Sequence, residues 1–199
     1  GGKALPRFLL LENVPSLLSE RHVGNFNTWI NDLNELGYES KHFLLNAKSF
    51  GLPQNRPRLL MISVFVGEDK NKRTKVRKYL DLKESNDIIS EYAESRYYKK
   101  ILISKLLRTD YTNKKLLAEA IECTPNDTVS RREIWEENPQ IILPDGRLNP
   151  EIDVIRTITT KQDRNPNSGN LYFDCGIAGR SHFRYLTPRE CFLFMGFTD

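Results

Sequence analysis

Two short apolar runs constrain the fold more than any other feature of this chain. Phe8, Leu9, Leu10 and Leu11 run straight into the polar pair Glu12-Asn13, and Leu59 to Val66 forms a second run broken only by Ser63. Both are strand-sized and far too short to cross a bilayer. Polar residues at the end of a buried strand usually face a cleft. Between the runs, Phe26, Trp29, Ile30, Leu33 and Leu36 recur at helical spacing, and Gly37 supplies a C-terminal cap. Tyr38 to Leu45 then resumes an extended pattern, and a turn at Gly51-Pro53 leads into the second run. Strand, helix, strand and strand in this order predict part of an α/β sheet over residues 1–66.

The composition changes at Gly67. Lys70, Lys72, Arg73, Lys75, Arg77 and Lys78 crowd into one short stretch, which reads as a domain boundary or surface loop. Residues 87–107 place Ile88, Tyr92, Tyr98, Ile101, Leu102 and Leu106 at roughly helical intervals. Thr112 is positioned to cap a helix through Leu116, Leu117, Ala120 and Ile121. Ser130 and Glu133 have the spacing of a capping box before Ile134 and Trp135. Residues 138–182 are rich in Pro, Asn, Gly and Asp, with β-prone islands at 155–160 and 171–173. Thr187, with Pro188 at the first helical position and Glu190 at the third, predicts a capped closing helix.

At 199 residues, with 39% hydrophobic and 28% charged residues, the chain has the make-up of a globular protein. A net charge of +4 permits a polyanionic partner without demanding one. Three scattered cysteines form neither a disulfide framework nor a metal-ligand spacing, and no secretory signal or membrane segment is apparent. A reducing, cytoplasmic setting is expected.

Three motifs in order carry a family resemblance: Glu12-Asn13-Val14 after an apolar strand, Gln54-Asn55-Arg56-Pro57-Arg58 before one, and Leu186-Thr187-Pro188-Arg189-Glu190-Cys191 at the close. Each alone is weak; the series resembles the later motifs of the cytosine-5 DNA methyltransferases. It covers residues 5–66 and 155–199, with a variable insert between. The resemblance implies an α/β fold: a partial class I S-adenosylmethionine-dependent methyltransferase sheet plus a mixed, partly helical target-recognition lobe. Residues 1–66 would supply the later strands of the catalytic domain, 67–185 the target-recognition domain, and 186–199 a helix joining back.

The resemblance also assigns roles. In the family reaction a thiolate adds to C6 of a flipped cytosine and a methyl group is attached at C5. Glu12 matches the glutamate that holds the ring N3 and exocyclic amine, and partial burial at a strand mouth would favour its protonated form. Arg58 matches the arginine that contacts O2, and Arg56 the one that supports the loop. Alternation along an extended strand would place Gln54, Arg56 and Arg58 on one face. Asn13 is expected to hold the loop shape. Thr157 aligns with a phosphate-contacting threonine, and Thr159, Lys161, Arg164 and Arg147 are further DNA-contact candidates. Base-reading side chains would be sought first at 145–149 and 161–170, whereas 87–137 is expected to be a packing subdomain.

The family nucleophile is a cysteine that follows a proline, and no Pro-Cys pair occurs in this sequence. None of Cys123, Cys175 and Cys191 is assigned that role. A glycine-rich cofactor loop before the first strand is also missing, so S-adenosylmethionine would be bound mainly by parts outside this chain. The expectation is therefore a truncation or one subunit of a split enzyme, inactive alone, whose partners are double-stranded DNA and the polypeptide carrying the missing half. Two alternatives remain open: a non-catalytic DNA-binding or regulatory module, and the branch of the family that modifies transfer RNA, for which residues 67–154 form an unusually large insert.

Overall fold

The computed structural model describes residues 5–160 and 169–198. It divides into two compact units. The first comprises residues up to Phe50 together with Pro57–Tyr98, and the second comprises Gly51–Arg56 together with the chain from Lys99 onward.

The first unit is built on a three-stranded antiparallel sheet of β1 (Phe8–Asn13), β2 (Tyr38–Asn46) and β4 (Pro57–Phe65), in the order β1-β4-β2. Strand β4 lies in the middle because it carries the longest apolar run and can be covered on both edges. Helix α1 (Val23–Glu35) packs on one face, burying Phe26 and Leu33 against Leu59, Met61 and Tyr38, with Leu9 and Leu11 beside them. Each such side chain contributes roughly 1.5–3 kcal/mol on full burial. Gly37 ends α1 in the left-handed region at φ 95°, its N–H donating to Asn34 O at 3.0 Å. A Cβ there would approach Gly67 Cα to 2.9 Å, so only glycine fits the crossing.

The uninterrupted apolar run of β1 predicts burial on both faces, but Phe8 and Leu10 are 65% and 78% exposed. The reason is positional: β1 lies at the sheet edge, and α1 covers only the face carrying Leu9 and Leu11.

The basic stretch is a helix, α2 (Lys70–Leu80), and not the loop its composition suggests. Its order comes from polar contacts that hydrophobic periodicity cannot reveal. Asp69 caps it, accepting from the N–H groups of Asn71 and Lys72 at 3.0 Å each. Arg73 and Arg77 then converge on Glu39, whose side chain is 4% exposed, at 2.7 and 2.9 Å. Burial would raise the Glu39 pKa, but the hydrogen bonds from Arg77 and Arg73 outweigh it, and the net direction is down. A carboxyl with a depressed folded-state pKa stabilises the fold above its unfolded value, and that stabilisation is lost as pH falls through the folded value. The first unit is therefore expected to lose stability as pH drops below about 4.5, and Glu39→Gln should flatten that acid limb in urea unfolding.

Helix α3 (Ser85–Glu94) is shorter than the helical pattern over 87–107, which gives way after Glu94 to turns and a single 3-10 turn at Ile103–Lys105. The chain is extended at Ser95 (ψ 155°), and the Ser95 hydroxyl donates to Tyr92 O, closing the helix end.

The second unit joins α4 (Lys114–Glu122), α5 (Val129–Glu137) and α6 (Pro188–Phe194) to two small sheets. One sheet pairs β3 (Gln54–Asn55) in parallel with β6 (Ile155–Arg156); the other is β5 (Gln140–Ile142), β7 (Asn170–Tyr172) and β8 (Phe183–Arg184), in that order. The core gathers Ile103, Leu106, Ile141, Ile155, Leu171, Leu186 and Phe194.

Two expected caps are displaced. Asn113, not Thr112, caps α4, accepting from Lys115 N at 2.9 Å, while the Thr112 hydroxyl donates to Asp110. Thr128, not Ser130, caps α5, accepting from Arg131 N at 3.3 Å. In both places adjacent polar side chains compete for one role, and the backbone decides between them. The expected cap of α6 does form: Thr187 Oγ accepts from Glu190 N at 3.2 Å, and Glu190 accepts from Thr187 N at 2.8 Å.

Gly51 sits at φ 90°, where a Cβ would meet Lys99 O at 2.3 Å. Gly51→Ala combines a left-handed backbone with a clash against main chain. It should cost at least about 2 kcal/mol, measured by urea unfolding.

Candidate functional site

In the first unit, antiparallel pairing sets Glu12 opposite Leu60, two residues along β4 from Arg58 and on the same sheet face. Arg58 Nε contacts Glu12 Oε1 at 2.6 Å, with side-chain exposures of 19% and 55%. Arg58 also donates to Pro57 O at 2.8 Å. The partial burial expected for Glu12 at the strand mouth is not present, because the face carrying Phe8, Leu10 and Glu12 is the one α1 leaves open. Asn13 Oδ1 accepts from Val14 N at 2.8 Å, shaping the exit into the 3-10 turn Pro15–Leu18. A carboxyl and a guanidinium now stand side by side at a strand end, able to accept and donate along one edge of a planar ligand.

In the second unit, Gln54 is fully buried, its amide donating to Phe194 O at 3.2 Å, so it ties β3 to α6. Its Oε1 has no partner among the described residues. The single extended strand expected from Gln54 to Arg58 does not form: β3 ends at Asn55, paired in parallel with β6, and β4 begins at Pro57, paired with β2 and β1, so the chain changes sheets between them. Arg56, half-buried, lies at that break.

Thr157 Oγ donates to Asn55 O at 2.7 Å, fastening the chain after β6 to the Gln54-Asn55 segment. Thr159 is exposed just beyond. Arg147 is 80% exposed and pairs with Asp145 at 2.6 Å across the turn at Gly146; hydrogen bonds from Arg147 hold the Asp145 carboxyl below the usual carboxylate range. Lys161 and Arg164 lie outside the described residues.

The pair Arg184–Glu190 has no warning in the sequence. Both side chains are 0% exposed, joined by two bonds at 2.7 and 2.8 Å. Glu190 also accepts from Arg108 N at 2.8 Å, and Arg184 donates to Tyr111 Oη at 3.0 Å. Against the cost of burial, which would lower it, contact with Glu190 pushes the Arg184 pKa up, so the guanidinium stays charged. This network fixes α6 in the second unit.

Beside it, Cys123 and Cys191 line a cavity of about 720 Å³ together with Arg131 and Arg180. Burial pushes the Cys123 thiol up and the Cys191 thiol up to about 11. Both are thus held as thiols, poor nucleophiles at neutral pH. Among the described residues no cluster of His, Cys, Asp and Glu is suited to a metal ion, and no helix is long and apolar enough to cross a membrane.

A family model described as C-5 cytosine-specific DNA methylase matches residues 3–199. The chain belongs to the C-5 cytosine-specific DNA methylase family. Within it, the chain is 28% identical over 195 residues to the type II methyltransferase M2.ScrFI of Lactococcus lactis subsp. cremoris, covering 98% of this chain and 44% of that protein. It is 28% identical to the type II methyltransferase M.Bsp6I of a Bacillus species, covering 98% of this chain and 55% of that protein. The chain therefore spans about half the length of these methylases. Among solved structures it is similar to the S. pombe Dnmt2 methyltransferase, with a TM-score of 0.59 at 15% identity over 98% of this chain and 57% of that one. The α/β methyltransferase fold expected from the sequence is thus the fold observed.

Proposed function

We propose that this chain is the cytosine-gripping part of a DNA (cytosine-5) methyltransferase that takes its target base out of duplex DNA and methylates C5. The observation that carries the proposal is the Glu12–Arg58 contact at 2.6 Å. Cytosine presents O2, N3 and the exocyclic amine consecutively along one edge. A guanidinium suits O2, and an adjacent carboxyl suits N3 and the amine. A nucleophile adding to C6 makes the ring electron-rich, and a carboxyl that hydrogen-bonds or donates a proton at N3 stabilises that change. A base inside the duplex cannot reach such a pair, so the target must leave the stack.

S-adenosylmethionine would supply the methyl group. The Glu12 and Arg58 surroundings do not fit it by themselves: the neighbouring Phe8 and Leu10 lie on an open sheet face with β1 at the edge, and a cofactor of that size needs an enclosed slot. We assign its binding, and the nucleophile, to a polypeptide segment beyond these residues, from the same or a second chain. Residues 1–66 would serve the catalytic domain, 67–185 target recognition and 186–199 the return to the catalytic domain, with Thr157, Thr159, Arg147, Lys161 and Arg164 as contacts to the DNA backbone. Relatives described as type II methyltransferases support a role in restriction-modification, and a cytoplasmic setting accords with three cysteines outside any disulfide.

Competition binding tests the substrate class. Duplex DNA is expected to displace a labelled duplex from the chain, with folded RNA at least tenfold weaker; the reverse order would favour the RNA-modifying branch.

A further inference from the structure

The second unit contains a cavity that the cytosine site does not use. It measures about 360 Å³ and is lined by Trp135, Tyr172 and Phe183, with Ser181, Asp127 and Arg132 at its polar side. The Trp135 ring lies nearly parallel to Phe183, with centroids 5.5 Å apart and an interplanar angle of 23°, and the Tyr172 ring is 6.3 Å away. Phe183 is buried, whereas Trp135 and Tyr172 are half-buried and keep surface toward the cavity. Arg132 grips Asp127 through two bonds of 3.0 and 2.9 Å, and those bonds hold the Asp127 carboxyl ionised.

The Trp135 and Tyr172 rings facing an open cavity, backed by Phe183, suit a planar ring, since a π-face stacks on any nucleobase with little regard to its sequence. The Asp127–Arg132 pair adds an acceptor next to a donor, which matches an amino group beside a ring nitrogen or carbonyl. A paired base within a duplex has both faces covered by its neighbours, so only an unstacked base could enter.

We propose that this cavity receives a second unstacked nucleobase of the bound DNA, distinct from the cytosine held by Glu12 and Arg58. The proposal rests on the duplex-DNA reading above. It gives part of the 87–137 stretch, expected from sequence to be packing alone, a share in DNA recognition.

The test is fluorescence anisotropy with the full 199-residue chain and three labelled duplexes: fully paired, carrying one bulged adenine, and carrying an abasic bulge. The adenine bulge should bind about tenfold tighter than the paired duplex, the equivalent of about 1.4 kcal/mol, within the range for one base on an aromatic platform. The abasic bulge, which is as flexible but lacks a ring, should show no such gain. Trp135→Ala should abolish the preference while leaving the paired-duplex affinity within about twofold. Because Trp135 also packs against Phe183, Arg132→Gln provides a surface variant that should reduce the adenine preference severalfold without altering thermal unfolding. Equal binding of paired and adenine-bulged duplexes, an equal gain from the abasic bulge, or a preference surviving Trp135→Ala would each overturn the cavity's role alone. Failure to bind any of the duplexes would overturn the DNA reading as well.

Discussion

Glu190→Gln should cost the second unit about 3–5 kcal/mol, the effect expected when a buried charge loses its partner. Arg184 has no exposed surface on which to recover solvation. The loss also weakens the cap at Thr187 and the bond from Arg108 N. Since whole domains are stable by only about 5–15 kcal/mol, urea unfolding should show the second unit melting early or already unfolded. The double replacement Arg184→Met with Glu190→Met removes both charges together and should recover more than half of the lost stability. A double variant no more stable than Glu190→Gln would show that the hydrogen bonds to Thr187 and Arg108, and not the stranded charge, set the cost.

The second large effect is on chemistry. In a reconstitution with the proposed complementary polypeptide, one bearing a Pro-Cys nucleophile and a glycine-rich cofactor loop, Glu12→Gln should lower the rate of methyl transfer by about 10²–10⁴, the usual contribution of a positioned proton donor. Glutamine keeps the shape of the side chain and can accept at its oxygen, but it cannot donate a carboxyl proton to N3. Affinity for duplex DNA should change less than about threefold, because in its proposed role Glu12 would meet only the flipped base and add nothing to the phosphate contacts that dominate binding. Equal losses in rate and affinity would make Glu12 a structural partner of Arg58 and remove it from the reaction.

How much of this was legible beforehand follows from where each signal resides. Strands β1, β2 and β4 and helix α1 were readable because their order comes from burying apolar side chains, which leaves a periodic trace in the sequence. The α6 cap was readable because Thr187 and Glu190 are local to one another. Helix α2 was not, since Arg73 and Arg77 answer to Glu39, more than thirty residues earlier. The Arg184–Tyr111 contact and the gathering of Trp135, Tyr172 and Phe183 are likewise products of folding, with no local spacing to announce them. At the candidate site, the motifs named Glu12 and Arg58 separately, and antiparallel register brought them into contact. The Gln54 to Arg58 alternation failed because the chain passes from one sheet to another between Asn55 and Pro57.

We propose that this chain grips cytosine but neither attacks it nor delivers the methyl group. The direct measurement is transfer of labelled methyl from S-adenosylmethionine to duplex DNA, with the product nucleoside identified. The isolated chain should give no incorporation above background, and addition of a polypeptide bearing the Pro-Cys and glycine-rich elements should yield 5-methylcytosine. Label appearing at C5 with the isolated chain would contradict the account and require a nucleophile among Cys123, Cys175 and Cys191.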